Sequence, residues 1–259
     1  MSNTAQRPIM IQGPMVIEAE KMAAKLQNVK VEPTGNFIFY LGTLDNYPVI
    51  VAKTSKGMEN AAAATAVGIE RYNPVAVINQ GTAGGHDPML NVGDIVLGAK
   101  TTPIGNLKTA ELLAGQGSDP FIWKPMDVMA SEGSAGEDKN AEKIRYYYSD
   151  AFLMEIAHRV KDTYTYGKIV DGVVGSANVW NNELDRIKWF HENYGTSVEE
   201  MEGAAVAQMC QAYNIPFLSI RVLSNNKTNA GKYNPLTAGY CQEYVLNVVK
   251  EYIRELKAQ

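Results

Sequence analysis

Val75-Ala76-Val77-Ile78-Asn79-Gln80-Gly81-Thr82-Ala83-Gly84-Gly85 runs from a continuous apolar stretch straight into three glycines and a single hydroxyl. The apolar half is what a strand buried on both faces requires. The glycine half can cradle an anion or a ligand through its backbone N–H groups. It also suits a tight turn from strand to helix, and the residues alone leave both readings open. No Gly-Lys-Ser/Thr follows, so this is not a P-loop, and neither the spacing nor a downstream acid fits a dinucleotide fingerprint.

Outward from this segment, short apolar runs alternate with helical patterns, which suggests a mostly parallel sheet covered by helices. Towards the N-terminus, 8–12 reads as a strand ending at Gly13-Pro14, and 17–26 as an amphipathic helix. Segments 36–44 and 48–54, joined by Asp45-Asn46-Tyr47, form a hairpin pattern, and 59–72 is an alanine-rich helix. Towards the C-terminus, strands are expected at 93–97, 168–175 and 216–224, and helices at 150–163, 202–213 and 241–256. Residues 103–142 are loop-rich and long for a compact domain. No repeat or linker divides the chain, so one domain spanning 1–259 is expected, with an insertion at about 103–142.

Charge and composition exclude several function classes. The chain has 24 basic and 28 acidic residues, with no basic run to serve as a nucleic-acid surface. Two cysteines, Cys210 and Cys241, make no disulfide framework and read as buried thiols. Three histidines without a Cys-x-x-Cys or His-Glu-x-x-His pattern argue against a metal site, and no cofactor is expected. No stretch approaches the roughly 20 apolar residues of a membrane span. The expectation is a cytoplasmic protein that binds neither nucleic acid nor membrane.

In open α/β sheets, ligands bind beyond the carboxyl ends of the strands. That rule selects 13–18, 79–85, 175–182 and 224–229, all rich in Gly, Ser, Thr or Asn. Two acidic features stand near them. Glu18 begins a helix, where the macrodipole alone would favour it. Glu199-Glu200-Met201-Glu202 also begins a helix; such clusters are usually solvated, although Glu202 adjoins the small residues Gly203-Ala204-Ala205.

Read in order, these segments resemble the methylthioadenosine/S-adenosylhomocysteine nucleosidases of the purine nucleoside phosphorylase superfamily, over almost the whole chain. The resemblance rests on Gly13-Pro14-Met15-Val16-Ile17-Glu18, Gly57-Met58-Glu59-Asn60-Ala61-Ala62, Asn79 to Gly85, Val92-Gly93-Asp94-Ile95-Val96 and, most specifically, Glu200-Met201-Glu202-Gly203-Ala204-Ala205. It implies an α/β fold with a central mixed, twisted sheet flanked by helices. It also implies hydrolysis of a purine nucleoside by water, in a homodimer. Glu18 would activate the water and Glu202 would hold the ribose hydroxyls. Substrate contacts are implied at Thr82, Ala83 and Gly84, at Asn178, Val179 and Trp180, at Met201, and at Lys227.

Three positions depart from the family pattern. Asn225 stands where the nucleosidases carry an aspartate that protonates the base, and an amide has no acidic form. General acid work there is worth about 10²–10⁴-fold. A 6-oxopurine relaxes the demand, because its leaving form spreads charge over N7 and O6, which Asn225 and Lys227 could meet. Asn178 replaces an aromatic residue that stacks on the base; Trp180, two residues on, either takes that place or packs at the surface. His86 is unusual beside the glycines; it either touches the nucleoside's 5′ side or caps a turn, and the turn is the simpler reading.

Three functions follow: a nucleosidase, a phosphorylase that finds phosphate through Ser55, Thr82 and backbone amides, or a nucleoside-binding protein without catalysis. The phosphorylase reading lacks the arginines that a partly buried phosphate needs, and Glu18 would repel the anion.

Overall fold

The computed structural model describes residues 6–129 and 142–258, which form one α/β domain with a mixed sheet and six helices. The first half runs β1 (Ile9–Gly13), α1 (Val16–Ala23), β2 (Gln27–Thr34), β3 (Phe37–Leu44), β4 (Tyr47–Lys53), α2 (Met58–Tyr72), β5 (Ala76–Gly85) and β6 (Ile95–Pro103). Five two-residue strands follow: β7 (Leu107–Lys108), β8 (Lys124–Pro125), β9 (Val128–Met129), β10 (Lys143–Ile144) and β11 (Tyr147–Tyr148). The second half runs α3 (Ala151–Arg159), β12 (Ile169–Ser176), α4 (Leu184–Tyr194), β13 (Val198–Glu200), α5 (Gly203–Ala212), β14 (Phe217–Asn225) and α6 (Leu236–Ala258).

Local chemistry explains most of these boundaries. The β3–β4 hairpin turns on Asp45 and Asn46, both at positive φ (49° and 58°), as the favoured two-residue hairpin turn requires. Helix α2 stops at Asn73, which adopts the left-handed conformation ahead of Pro74. Two of the longer elements escape the sequence patterns. Strand β2 is a mostly exposed edge strand, whose alternating Val29 and Val31 mark no buried face. Helix α4 buries only Phe190 and Tyr194, leaving too narrow an apolar stripe.

The sheet runs β11-β6-β12-β13-β5-β1-β4-β3-β2, and β14 pairs with both β5 and β6. Those last pairings close β5, β14, β6, β12 and β13 into a ring. One layer of core lies between the sheet and helices α1, α3 and α6, built from residues such as Ile11, Ile78, Ile220 and Val245. The other lies under α2 and α5, around Met10, Phe39, Val77 and Val206. Cys210 and Cys241 are buried, unbridged thiols in these two layers.

The glycine segment is neither a cradle at a helix start nor a turn. Strand β5 continues through Gly85, because β14 pairs with it as far as Gly84 and β13 pairs with Gly84 and Gly85 from the other side. Two flanking ladders satisfy the backbone, so the glycines stay extended. Of the insertion expected at 103–142, the described part to 129 is mostly irregular, with short ladders β7–β8 and β9–β10; residues 130–141 lie outside the described residues.

Candidate active site

The carboxyl ends of β1, β5, β12, β13 and β14 meet around a cavity of about 370 Å³. Glu18, Thr82, Ala83, Gly84 and Asn225 line it, as do Val179, Trp180, Met201 and Glu202. Asn178 and Lys227 do not. Asn178 instead ties the chain to the start of α2: its Oδ1 accepts from the Met58 N–H at 2.9 Å, and its Nδ2 donates to Glu59 at 2.7 Å. Lys227 faces an adjoining cavity of about 290 Å³, which shares Gly84, Asn181, Glu199 and Asn225 with the first.

Glu18 is placed by its own helix and by β5. At the third position of α1, its Oε2 accepts from the Met15 N–H at 3.1 Å, closing the first turn. Its Oε1 accepts from the Thr82 N–H and the Thr82 hydroxyl, both at 2.8 Å. The same side chain thus closes the first helical turn and lines the cavity. Burial pushes the Glu18 carboxyl above its usual range, against the pull of Arg221 and the Thr82 donors.

The acidic run is buried, not solvated. Glu199, Glu200 and Glu202 are each at most 7% exposed, because β13 lies inside the ring and carries the first two into it. Glu200 serves structure: its carboxylate accepts from the Glu202 N–H at 2.8 Å and from the Gly203 N–H, capping α5. Ser176 of β12 donates to Glu200 and accepts from the Ala204 N–H at 2.8 Å. Glu202 is left to face the cavity, with Oε1 accepting from the Gly57 N–H at 3.1 Å.

Arg221, fully buried in the middle of β14, was not singled out from sequence, yet it holds the acidic cluster together. Its guanidinium reaches Glu200 at 2.7 Å and Glu202 at 3.4 Å, and also donates to the Asn79 side chain. Burial opposes its charge, but Glu200, Glu202 and Glu18 more than offset that and hold its pKa above the usual value. The signal was present: an arginine inside an otherwise apolar strand must be paired. Burial likewise pushes Glu202 up to about 8, with Arg221 opposing it and Glu200 adding to it.

Sequence reading also passed over Tyr233, which lines the cavity with a buried hydroxyl that finds no hydrogen-bond partner among the described residues. Nor does His86 cap a turn with its side chain. It is buried between two polar partners, with Nδ1 2.7 Å from the Thr196 hydroxyl and Nε2 3.0 Å from Glu199, and its ring stacks on Phe190. Trp180 lines the cavity while 62% exposed. Among the described residues, no group of three His, Cys, Asp or Glu has the arrangement of a metal site, and no helix is long and apolar enough to cross a membrane.

Residues 8–254, which carry these buried acidic residues and the glycine strand, match the phosphorylase superfamily model. The chain belongs to the phosphorylase superfamily. Within this superfamily it is similar to the 5′-methylthioadenosine/S-adenosylhomocysteine nucleosidase of Psychromonas ingrahamii, at 31% identity over 226 residues, 87% of each chain. The enzyme of the same name from Hydrogenovibrio crunogenus is also 31% identical, over 230 residues and 88% of each chain. Among solved structures, the Neisseria meningitidis nucleosidase bound to methylthio-immucillin-A superposes with a TM-score of 0.77 at 26% identity, covering 94% of this chain and 99% of that one. Futalosine hydrolase of Helicobacter pylori shares the superfamily fold at 21% identity, with a TM-score of 0.75 and coverage of 95% and 98%.

Proposed function

We propose that this superfamily member is a purine-nucleoside N-ribohydrolase, cleaving the glycosidic bond with water to release the free base. The observation that carries the reading is the charge of the cavity wall. Glu18, Glu199, Glu200 and Glu202 line it, and Lys56 is the one basic residue among the described residues that do. Phosphate would meet four acidic side chains and a single lysine. Arg221 is already held by Glu200, Glu202 and Asn79, and Ser55 does not line the cavity. Water fits where phosphate does not, and both curated relatives are named nucleosidases.

The roles follow from the order of residues along β5. Thr82, bonded to Glu18, and Gly84, paired to Asn225, are two residues apart. At about 3.3 Å per residue that is roughly 7 Å, which leaves the sugar carbon between them. Glu18 orients and deprotonates water at one end, and Asn225 receives the departing base at the other. Glu202 holds the ribose hydroxyls, whose grip stabilises the oxocarbenium-like state. Thr82, Ala83 and Gly84 form the floor, and Val179, Trp180 and Met201 cover the substrate. Asn225 favours a 6-oxopurine over adenine, because it can hydrogen-bond the leaving anion but cannot protonate it. Asn178 acts indirectly, anchoring the Val179–Trp180 segment to α2, and Lys227 approaches the base from the adjoining cavity.

Val179 (51%) and Trp180 (62%) form an exposed apolar rim at the cavity. That exposed rim is a surface a second copy of the chain would cover in the expected homodimer, which sedimentation would test. The function is tested by base release from inosine, guanosine, adenosine and methylthioadenosine, with and without phosphate. Release without phosphate supports hydrolysis; absolute dependence on phosphate establishes phosphorolysis instead.

A further inference from the structure

Glu199 and Asn225 flank the same residue. In the sheet register Gly84 pairs with Glu199 of β13 on one side and with Asn225 of β14 on the other. The β14 register shifts by one residue just before Asn225, and neighbouring strands lie about 4.8 Å apart. The two side chains therefore stand roughly 10 Å apart at their backbones, with a residue that has no side chain between them. Both also border the two adjoining cavities.

Their free atoms are complementary. Ser224 donates to Asn225 Oδ1 at 2.7 Å, which leaves Nδ2 as the free donor; a methyl group placed on Gly84 would lie 3.3 Å from that nitrogen. Glu199 Oε2 meets His86 at 3.0 Å and Asn181 at 3.4 Å, whereas Oε1 has no hydrogen bond among the described residues. His86 is itself held by Thr196 at 2.7 Å, so the Glu199 carboxylate is oriented from behind.

From this arrangement we infer that Glu199, positioned by His86, is a specificity-determining residue that accepts the N1–H of a 6-oxopurine while Asn225 donates to its O6/N7 edge. The inference rests on the nucleosidase reading and deepens it. Hypoxanthine and guanine present a donor at N1 beside the O6 acceptor. Adenine presents a bare N1 acceptor, which would face the carboxylate with no hydrogen between them. A site built to bond a polar group rejects the analogue that lacks it more strongly than apolar fit alone can.

The test compares wild type with Glu199→Gln, which keeps the shape and can still bond His86 while its amide offers a donor to adenine N1. The inosine-to-adenosine ratio of kcat/KM is expected to fall about 10- to 100-fold. An unchanged ratio, or a wild type that prefers adenosine, overturns the inference while leaving the hydrolase reading in place. A second measurement needs neither turnover nor a folded variant: calorimetric binding of hypoxanthine and 1-methylhypoxanthine to wild type. Hypoxanthine is expected to bind at least about tenfold more tightly; equal affinity overturns the inference. Base release that requires phosphate would refute the hydrolase reading without touching either comparison.

Discussion

Glu18 Oε1 and the Thr82 side chain share a hydrogen bond of 2.8 Å, and the Thr82 N–H reaches the same oxygen at the same distance. Because Thr82 sits on a strand paired on both sides, this carboxylate is fixed against the rigid ring rather than carried on a mobile loop. A group so placed can act on water without first being ordered.

Replacing Glu18 by Gln keeps the shape and removes the base. We expect kcat to fall by about 10²–10⁴-fold with a much smaller change in KM, read from steady-state base release. Turnover equal to wild type would remove Glu18 from the mechanism.

The raised pKa of Glu18 sets the acid side of the pH profile. The base form is the active one, so kcat/KM should rise with pH through an inflection above the ordinary carboxylate value of 4.5. An inflection at or below 4.5 would contradict the environment described here.

Glu202, with a folded pKa of about 8, stays protonated in the folded state where the unfolded chain has already ionised. Its contribution to stability is fully present below the unfolded value of 4.5 and is lost as pH rises towards 8. The Tm of Glu202→Gln relative to wild type should therefore climb between those values. A difference independent of pH would show that Glu202 is already ionised in the fold.

Arg221→Met leaves the Glu200 carboxylate buried without its cation. A loss of about 3–5 kcal/mol in unfolding free energy is expected, measured by denaturant titration. The deficit should shrink at low pH, where the abandoned Glu200 carboxylate takes up a proton.

Asn225→Asp restores an acidic group beside the base. Release of adenine from methylthioadenosine should increase by at least about tenfold, within the range open to a general acid, relative to release of hypoxanthine from inosine. No change in that ratio would mean that proton delivery is not what Asn225 limits.

Much of this was legible in the chain itself. The apolar runs of β1, β5 and β14, the hairpin at Asp45-Asn46 and the alanine-rich α2 follow from local periodicity and turn chemistry, which neighbouring residues determine by themselves. The glycine segment and Glu200-Met201-Glu202 marked the superfamily because motif spacing is also a local property. Tertiary structure decided the rest. Whether Glu199 and Glu200 are solvated or buried depends on which strands enclose β13. Whether Asn178 faces the substrate or α2 depends on a contact 120 residues away. Arg221 draws its partners from β5 and from the Glu200–Glu202 segment, and His86 is bound to residues more than 100 positions on. A side chain's type limits what chemistry it can do, but burial and partnership come from long-range strand pairing, and those determine which chemistry it does.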